Sequence, residues 1–242
     1  MHRIAILAIL AIIAGCKQDS ELAGLAGEYY QGDGLGVNCT LSLREPNRFD
    51  FQWRGCLGSY DKNNGTAQCI DKTLHLKPSL PNSREGFQGI ATEFFVISWG
   101  SRQYLVAHDE MLEYCNAINQ GSEPRGNEFG FFYMRSGDWG KPVSGKPAIV
   151  GDWSEYLLDE PVRGEISSIL GQETVEVNIG TNQGLRPGMM LTAQRVGSTM
   201  YSQLVVAELE SDSCRASIKH PGLSTISVGQ PVSTRFIDRT EN

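Results

Sequence analysis

Between positions 37 and 107 hydrophobic and polar residues alternate in short runs broken by turn formers. Val37, Cys39, Leu41 and Leu43 interleave with Asn38, Thr40 and Ser42, and Phe49, Phe51 and Trp53 interleave with Asp50 and Gln52. A period of two is that of a half-buried strand. Glu45, Pro46 and Asn47 separate the two runs, which therefore predict an antiparallel hairpin. Its register places Leu43 opposite Phe49, Leu41 opposite Phe51 and Cys39 opposite Trp53, because a one-residue slip would turn one strand's apolar set outward. A second hairpin is predicted over 60–70, turning at Asn64 and Gly65, since an Asn-Gly pair readily takes the positive φ values of a type I′ turn. Further strands are expected over 73–76, 91–98 and 103–107. Antiparallel neighbours joined by short loops predict a small barrel or a strongly curled sheet.

The period then changes. Met111, Tyr114, Cys115 and Ile118 fall on one helical face, and Asp109 stands where a cap is needed, so a helix is predicted near 109–119 with that stripe packed on the sheet. Positions 140–152 are rich in Gly, Pro and Lys, marking a domain boundary. Trp139 and Trp153 flank it, suited either to packing between domains, the favoured role, or to an aromatic surface for a ligand or glycan. Beyond it, strands are expected over 163–169 and, after a turn at Gly171, over 174–179. A Gly-rich corner at 180–188 follows, then strands near 190–195, 204–210, 215–219 and 232–236. Six strands in so short a span predict a compact second barrel. The fold class expected is mainly β, with two small antiparallel barrel-like domains, the first carrying one short helix.

The chain opens with Met1, His2 and Arg3, then an unbroken apolar run over 4–13, then Ala14, Gly15 and Cys16. The run is too short for a spanning helix, which needs about 20 residues, and its head and small-residue end match a secretory leader. Ile13, Ala14, Gly15 and Cys16 resemble a bacterial lipobox. That resemblance implies cleavage before Cys16 and lipidation of Cys16 with a diacylglycerol on sulfur and, usually, an acyl chain such as palmitate on nitrogen. At about 0.8 kcal/mol per buried methylene, more than one chain makes a stable anchor. Lys17 in place of Asp further implies the outer membrane, on its periplasmic side. The domain plan is thus a signal peptide at 1–15, a tether at 16–27, a β domain at 28–147, a linker at 148–160, a small barrel at 161–236 and a tail at 237–242.

Composition narrows the partners. The net charge is -7, one unit more negative if Arg3 leaves with the leader, and no basic stripe interrupts it. A phosphate backbone requires such a stripe, so no nucleic-acid partner is expected; the membrane, reached through the lipid anchor, is. Besides Cys16 there are Cys39, Cys56, Cys69, Cys115 and Cys214. An oxidising envelope permits disulfides. Because Cys56 falls on the strand face opposite Cys39, pairing those two would require a bulge at Gly55, and the preferred pairings are Cys39 with Cys69 and Cys56 with Cys115. Cys214 is expected to be a small buried hydrophobe. No CxxC or HxxxH spacing occurs, so neither a metal nor a cofactor is expected.

Candidate chemistry is thin. His108 lies nearly two helical turns from Cys115, which disfavours a thiolate–imidazole pair. Asp109, Glu110, Glu113, Asp159 and Glu160 read as solvated carboxylates. Gly145, Lys146 and Pro147 lack the Ser or Thr of a phosphate-binding loop. Positions 104–143, with Glu113, Tyr114, Cys115, Asn116, Ala117 and later Gly137, Asp138, Trp139, together with the run Gly55, Cys56, Leu57, Gly58, resemble uncharacterised bacterial proteins and bring no activity. Val177, Asn178, Ile179, Gly180, then Gly184, Leu185, Pro187, Gly188, Met189 resemble the C-terminal barrel of flagellar assembly protein T, which implies a fold used in envelope assembly. The expected function is that of a membrane-anchored envelope lipoprotein, not an enzyme, binding or assembling with an envelope protein or wall component. One alternative is a lipocalin-like carrier with a cavity of roughly several hundred Å3 in the first barrel, lined by residues such as Leu41, Phe51 and Trp53. The other is an envelope hydrolase using Cys115 or a carboxylate pair.

Overall fold

The computed structural model describes residues 22–32, 36–86, 88–124, 132–194, 201–220 and 226–235. The leader, Cys16 and the tail lie outside the described residues. The chain divides into two compact units, one of residues 1–111 and 124–149, the other of 112–123 and 150–242. Each contains a closed antiparallel barrel, so the fold is mainly β as expected.

The first barrel runs β1 (Gly27–Gly32), β2 (Asn38–Arg44), β3 (Arg48–Gly55), β4 (Gly58–Ile70), β5 (Thr73–Pro78), β6 (Glu93–Trp99), β7 (Arg102–Ala107) and β8 (Tyr133–Arg135). Strands neighbour one another in chain order, and β8 closes the ring by pairing Arg135 with Tyr29 and Met134 with Tyr30. The β2–β3 register matches the one that alternation requires: Leu43 faces Phe49, Leu41 faces Phe51 and Cys39 faces Trp53. The inward residues of β2, β3 and β5, among them Leu41, Leu43, Phe49, Leu74 and Leu76, form the core with Tyr29 and Leu105.

The hairpin expected at Asn64 and Gly65 is not formed. Residues 58–70 are one long strand, and the turn falls at Cys56 and Leu57. Asn64 pairs with Asp50, while Gly65 pairs with both Phe49 of β3 and Pro78 of β5. Gly65 is needed for a different reason than a turn: an added Cβ would lie 2.0 Å from the Lys77 carbonyl oxygen and 2.9 Å from the Phe49 ring.

The tether expected over 16–27 lies outside the described residues up to 21, and its last residues are not an extended linker. Residues 22–25 are helical and Leu22 and Leu25 are buried in the first core. Leu25 is fixed there because its carbonyl accepts a hydrogen bond from the Tyr29 hydroxyl at 3.0 Å. The segment lies where β1 begins, at the end of the barrel opposite to Gln31 and Val37.

The helix α1 (Met111–Asn119) follows a 3-10 turn at His108–Glu110. Asp109 does not cap it; its carboxylate pairs with Arg84 at 3.0 Å. Met111, Tyr114 and Cys115 are fully buried, as the stripe predicts. The domain plan places the helix within 28–147, whereas from residue 112 it belongs to the second unit. The reason is polar and invisible to a hydrophobic pattern. The buried Asn116 amide donates to the Gly188 carbonyl at 3.0 Å and accepts from the Met190 N–H at 2.9 Å. Asn119 likewise donates to the Tyr156 carbonyl and accepts from the Leu158 N–H.

The second barrel contains β9 (Arg163–Ile169), β10 (Thr174–Val177), β11 (Met190–Gln194), β12 (Tyr201–Leu209), β13 (Cys214–Ile218) and β14 (Pro231–Ser233), in the spatial order β10-β13-β12-β11-β14-β9. Val175, Val177, Leu191, Ala193, Leu204, Val206 and Ala216 are buried in its core, Cys214 among them as a small hydrophobe. In the Gly-rich corner, Gly188 has φ 82° and an added Cβ would lie 2.6 Å from Leu112 Cδ2, so this glycine lets α1 close on the corner.

Candidate functional site

The interior of the first barrel is filled at one end and open at the other. The open end holds a cavity of about 310 Å3, at the lower edge of the roughly 300–1,000 Å3 typical of small-molecule sites. Its walls come from inward positions where strands reach the rim: Cys39 on β2, Phe51 and Trp53 on β3, Phe94 on β6, Ala107 on β7 and Tyr133 on β8. The loop between β5 and β6 contributes Arg84, Gln88, Ile90 and Ala91, and the 3-10 turn contributes Glu110. Phe94 and Tyr133 meet edge to face, ring centroids 5.7 Å apart, the arrangement aromatic quadrupoles prefer.

That loop is held by side chains acting as surrogate backbone. Asn82 donates to the Ile90 carbonyl and accepts from the Ile90 N–H, both at 2.8 Å. The Gly89 N–H donates to Asp61 Oδ2 at 2.7 Å. The inward Asn63 donates to the Leu80 and Pro81 carbonyls and accepts from the Leu80 N–H. Arg84 bridges the loop to Asp109, from a left-handed backbone at φ 55°.

The cavity wall is a poor place for charge. Burial pushes the Cys39 thiol up to about 12, despite a hydrogen bond donated by the Tyr133 hydroxyl, and Glu110 adds to the rise. Burial also raises the Tyr133 phenol well above its usual range. Arg84 and Glu110, of opposite sign, are the charged groups among the described lining residues.

Leu41, expected in the lining, is not there; it is fully buried one layer below. Phe51 and Trp53 are. Sequence reasoning missed Arg84, Glu110 and Tyr133, which come from a loop, a 3-10 turn and a short strand that carry no periodic signal. Phe94 and Ala107 could have been found from the alternation of their strands.

The disulfides expected between Cys39 and Cys69 and between Cys56 and Cys115 are not formed, and Cys214 is likewise not in one. Cys39 and Cys69 sit on β2 and β4 with β3 between them. Two strand spacings of about 4.8 Å already exceed the roughly 7 Å limit on a bridged Cα pair. Cys56 is exposed at the β3–β4 turn, whereas Cys115 is fully buried in the second unit. Cys115 Sγ lies 3.9 Å from the Trp153 carbonyl, and burial pushes its thiol up to about 12. His108 stacks instead on Phe95, ring centroids 5.5 Å apart. Trp139 is half-exposed, and Trp153 is half-buried against Tyr156. Among the described residues no group of three or more His, Cys, Asp or Glu could hold a metal, and no helix is long and apolar enough to cross a membrane.

These thiols make stability depend on alkaline pH. From an ordinary 9.0, burial carries Cys39 and Cys115 to about 12 and Cys214 to about 11. Above about 9 the unfolded chain binds fewer protons than the native one, so stability is intact below that pH and falls as pH rises toward about 12. Thermal unfolding followed in steps of pH should show a flat Tm up to about 9 and a decline beyond it. A Tm unchanged between about pH 9 and 11 would contradict this.

No protein-family model matches the chain, and no curated protein matches it.

Proposed function

We propose that this is a lipid-anchored protein of the bacterial envelope whose role is binding rather than catalysis, with the first barrel serving as a cup for a small ligand. The observation that carries the reading is the half-filled barrel: a packed floor under a cavity of about 310 Å3 with aromatic walls. Eight strands enclose just enough room for side chains or for one small ligand, and here each half does one of these. The lipobox around Cys16 supplies the anchor. From Cys16 to Leu22 the chain reaches at most about 20 Å, and Leu22 is buried in the first core, so the lipid would hold the first barrel close to the anchoring membrane. The second barrel has a core of its own buried side chains and suits the assembly role that its resemblance to flagellar assembly protein T implies. Cys115, with a thiol raised by burial, has little thiolate at neutral pH and makes a poor nucleophile.

The test has two readouts on protein made in a bacterial host. Fractionation should place the native chain with membranes and Cys16→Ser in the aqueous fraction, and mass spectrometry should find acyl chains on Cys16. Native mass spectrometry of the Cys16→Ser protein should detect a bound small molecule that is lost on unfolding. Recovery of both forms in the aqueous fraction would overturn the anchor. A bare polypeptide mass that stays bare after incubation with periplasmic extract would overturn the cup.

A further inference from the structure

The cup's size and lining limit what can enter it. An apolar cavity of about 150 Å3 holds one benzene ring, so 310 Å3 accommodates about two fused rings. The barrel offers no continuation for a longer chain, because Leu41, Leu43, Phe49 and Leu74 fill the layers beneath and are all but inaccessible. Rings line the space: Phe51, Trp53, Phe94 and Tyr133. Aromatic walls favour a planar apolar guest through stacked and edge-to-face contacts.

Charge is discouraged from both directions. An ionised guest gives up its hydration on entry and needs a counter-charge within the site. At the rim the described lining residues supply one cation and one anion, Arg84 and Glu110, and Arg84 is already paired with Asp109 at 3.0 Å. Glu110 and Arg84 act on the neighbouring Tyr133 hydroxyl in opposite senses, so the described lining carries no net counter-charge for an ionised guest. The uncharged polar groups that remain, the Gln88 amide and the Tyr133 hydroxyl hydrogen-bonded to Cys39 in the wall, suit a single N–H, O–H or carbonyl on the guest.

Resting on the cup reading above, we infer that the ligand is a small uncharged aromatic compound of one or two rings carrying a single hydrogen-bonding group, and not a long-chain lipid or an ionised metabolite. The cup exchanges this guest with the aqueous space it faces. Ala91 and Ala107, small residues in the wall, keep the room that the rings require.

Isothermal titration of the full chain with indole tests the class, with indole-3-acetate, tryptamine and palmitate as the charged and long-chain comparisons. Indole should bind at least tenfold more tightly than each of the three. Ala91→Phe, which fills the cup, should weaken indole binding at least tenfold while far-UV circular dichroism stays native; Ala107→Leu serves the same purpose if the first variant does not fold. Equal or tighter binding of an ionised probe or of palmitate, still lost in the filled variant, would overturn the ligand class and leave the cup standing. Indole binding indifferent to both fillings, or binding of none of the four probes, would overturn the cup and the class together.

Discussion

Leu41→Ala is expected to destabilise the first barrel by about 3–5 kcal/mol, the range for a fully buried leucine whose surroundings cannot collapse into the space. Leu41 is inaccessible and lies between Tyr29 of β1 and Phe51 of β3, its direct register partners. Tyr29 is held by hydrogen bonds to the Leu25 carbonyl and to Gln103 and cannot swing inward to fill the hole, so the loss of transfer free energy comes with most of a cavity. Chemical denaturation of the full chain would read this as a fall in the midpoint at an unchanged slope. Had Leu41 lined the open cavity, as alternation alone suggests, truncation would merely enlarge an existing space. A loss under about 1 kcal/mol would place it there and remove the floor from the cup.

That contrast shows what the sequence carries and where it stops. Period-two alternation contains the face of each residue, and with it the β2–β3 register, because one slip would expose every apolar side chain. It contains no depth along the barrel axis, so Leu41 and Trp53 look alike although one is floor and the other wall. The cysteine pairings failed for a related reason. Compartment and residue count say that bridges are permitted, but the Cα separation of Cys39 and Cys69 depends on β3 lying between their strands. The helix was legible by its stripe of Met111, Tyr114 and Cys115, while its attachment was not, because Asn116 works through two hydrogen bonds from a position that hydrophobic patterning discards. Glu110 and Arg84 are beyond reach of periodic reasoning altogether. They stand in a 3-10 turn and an irregular loop, brought to the rim by Asn82, Asp61 and the ion pair with Asp109.

Gly65→Ala is the sharpest discriminator between the strand that forms and the turn that composition suggests. In a type I′ turn Gly65 would have positive φ and open space around it, and alanine would cost about 1 kcal/mol through backbone strain. In β4 the position has neither property. Its φ is not in the left-handed region, but the β5 backbone at Lys77 and the Phe49 ring occupy the place a Cβ would take, at 2.0 and 2.9 Å. A carbonyl oxygen of a paired strand is not the end of a flexible side chain, so relief requires β4 and β5 to part. Overpacking of this kind costs about 1–3 kcal/mol, and each ladder hydrogen bond lost around Gly65 and Pro78 adds about 1, for an expected destabilisation of about 3–4 kcal/mol. Gly58, at the true turn with φ 111° and nothing within 4 Å of an added Cβ, provides the comparison: Gly58→Ala suffers only strain, about 1–2 kcal/mol. The two variants measured in one denaturant series should therefore rank Gly65→Ala as the more damaging. The reverse order would mean that the chain turns at Asn64 and Gly65 after all, leaving β4 broken and the barrel open.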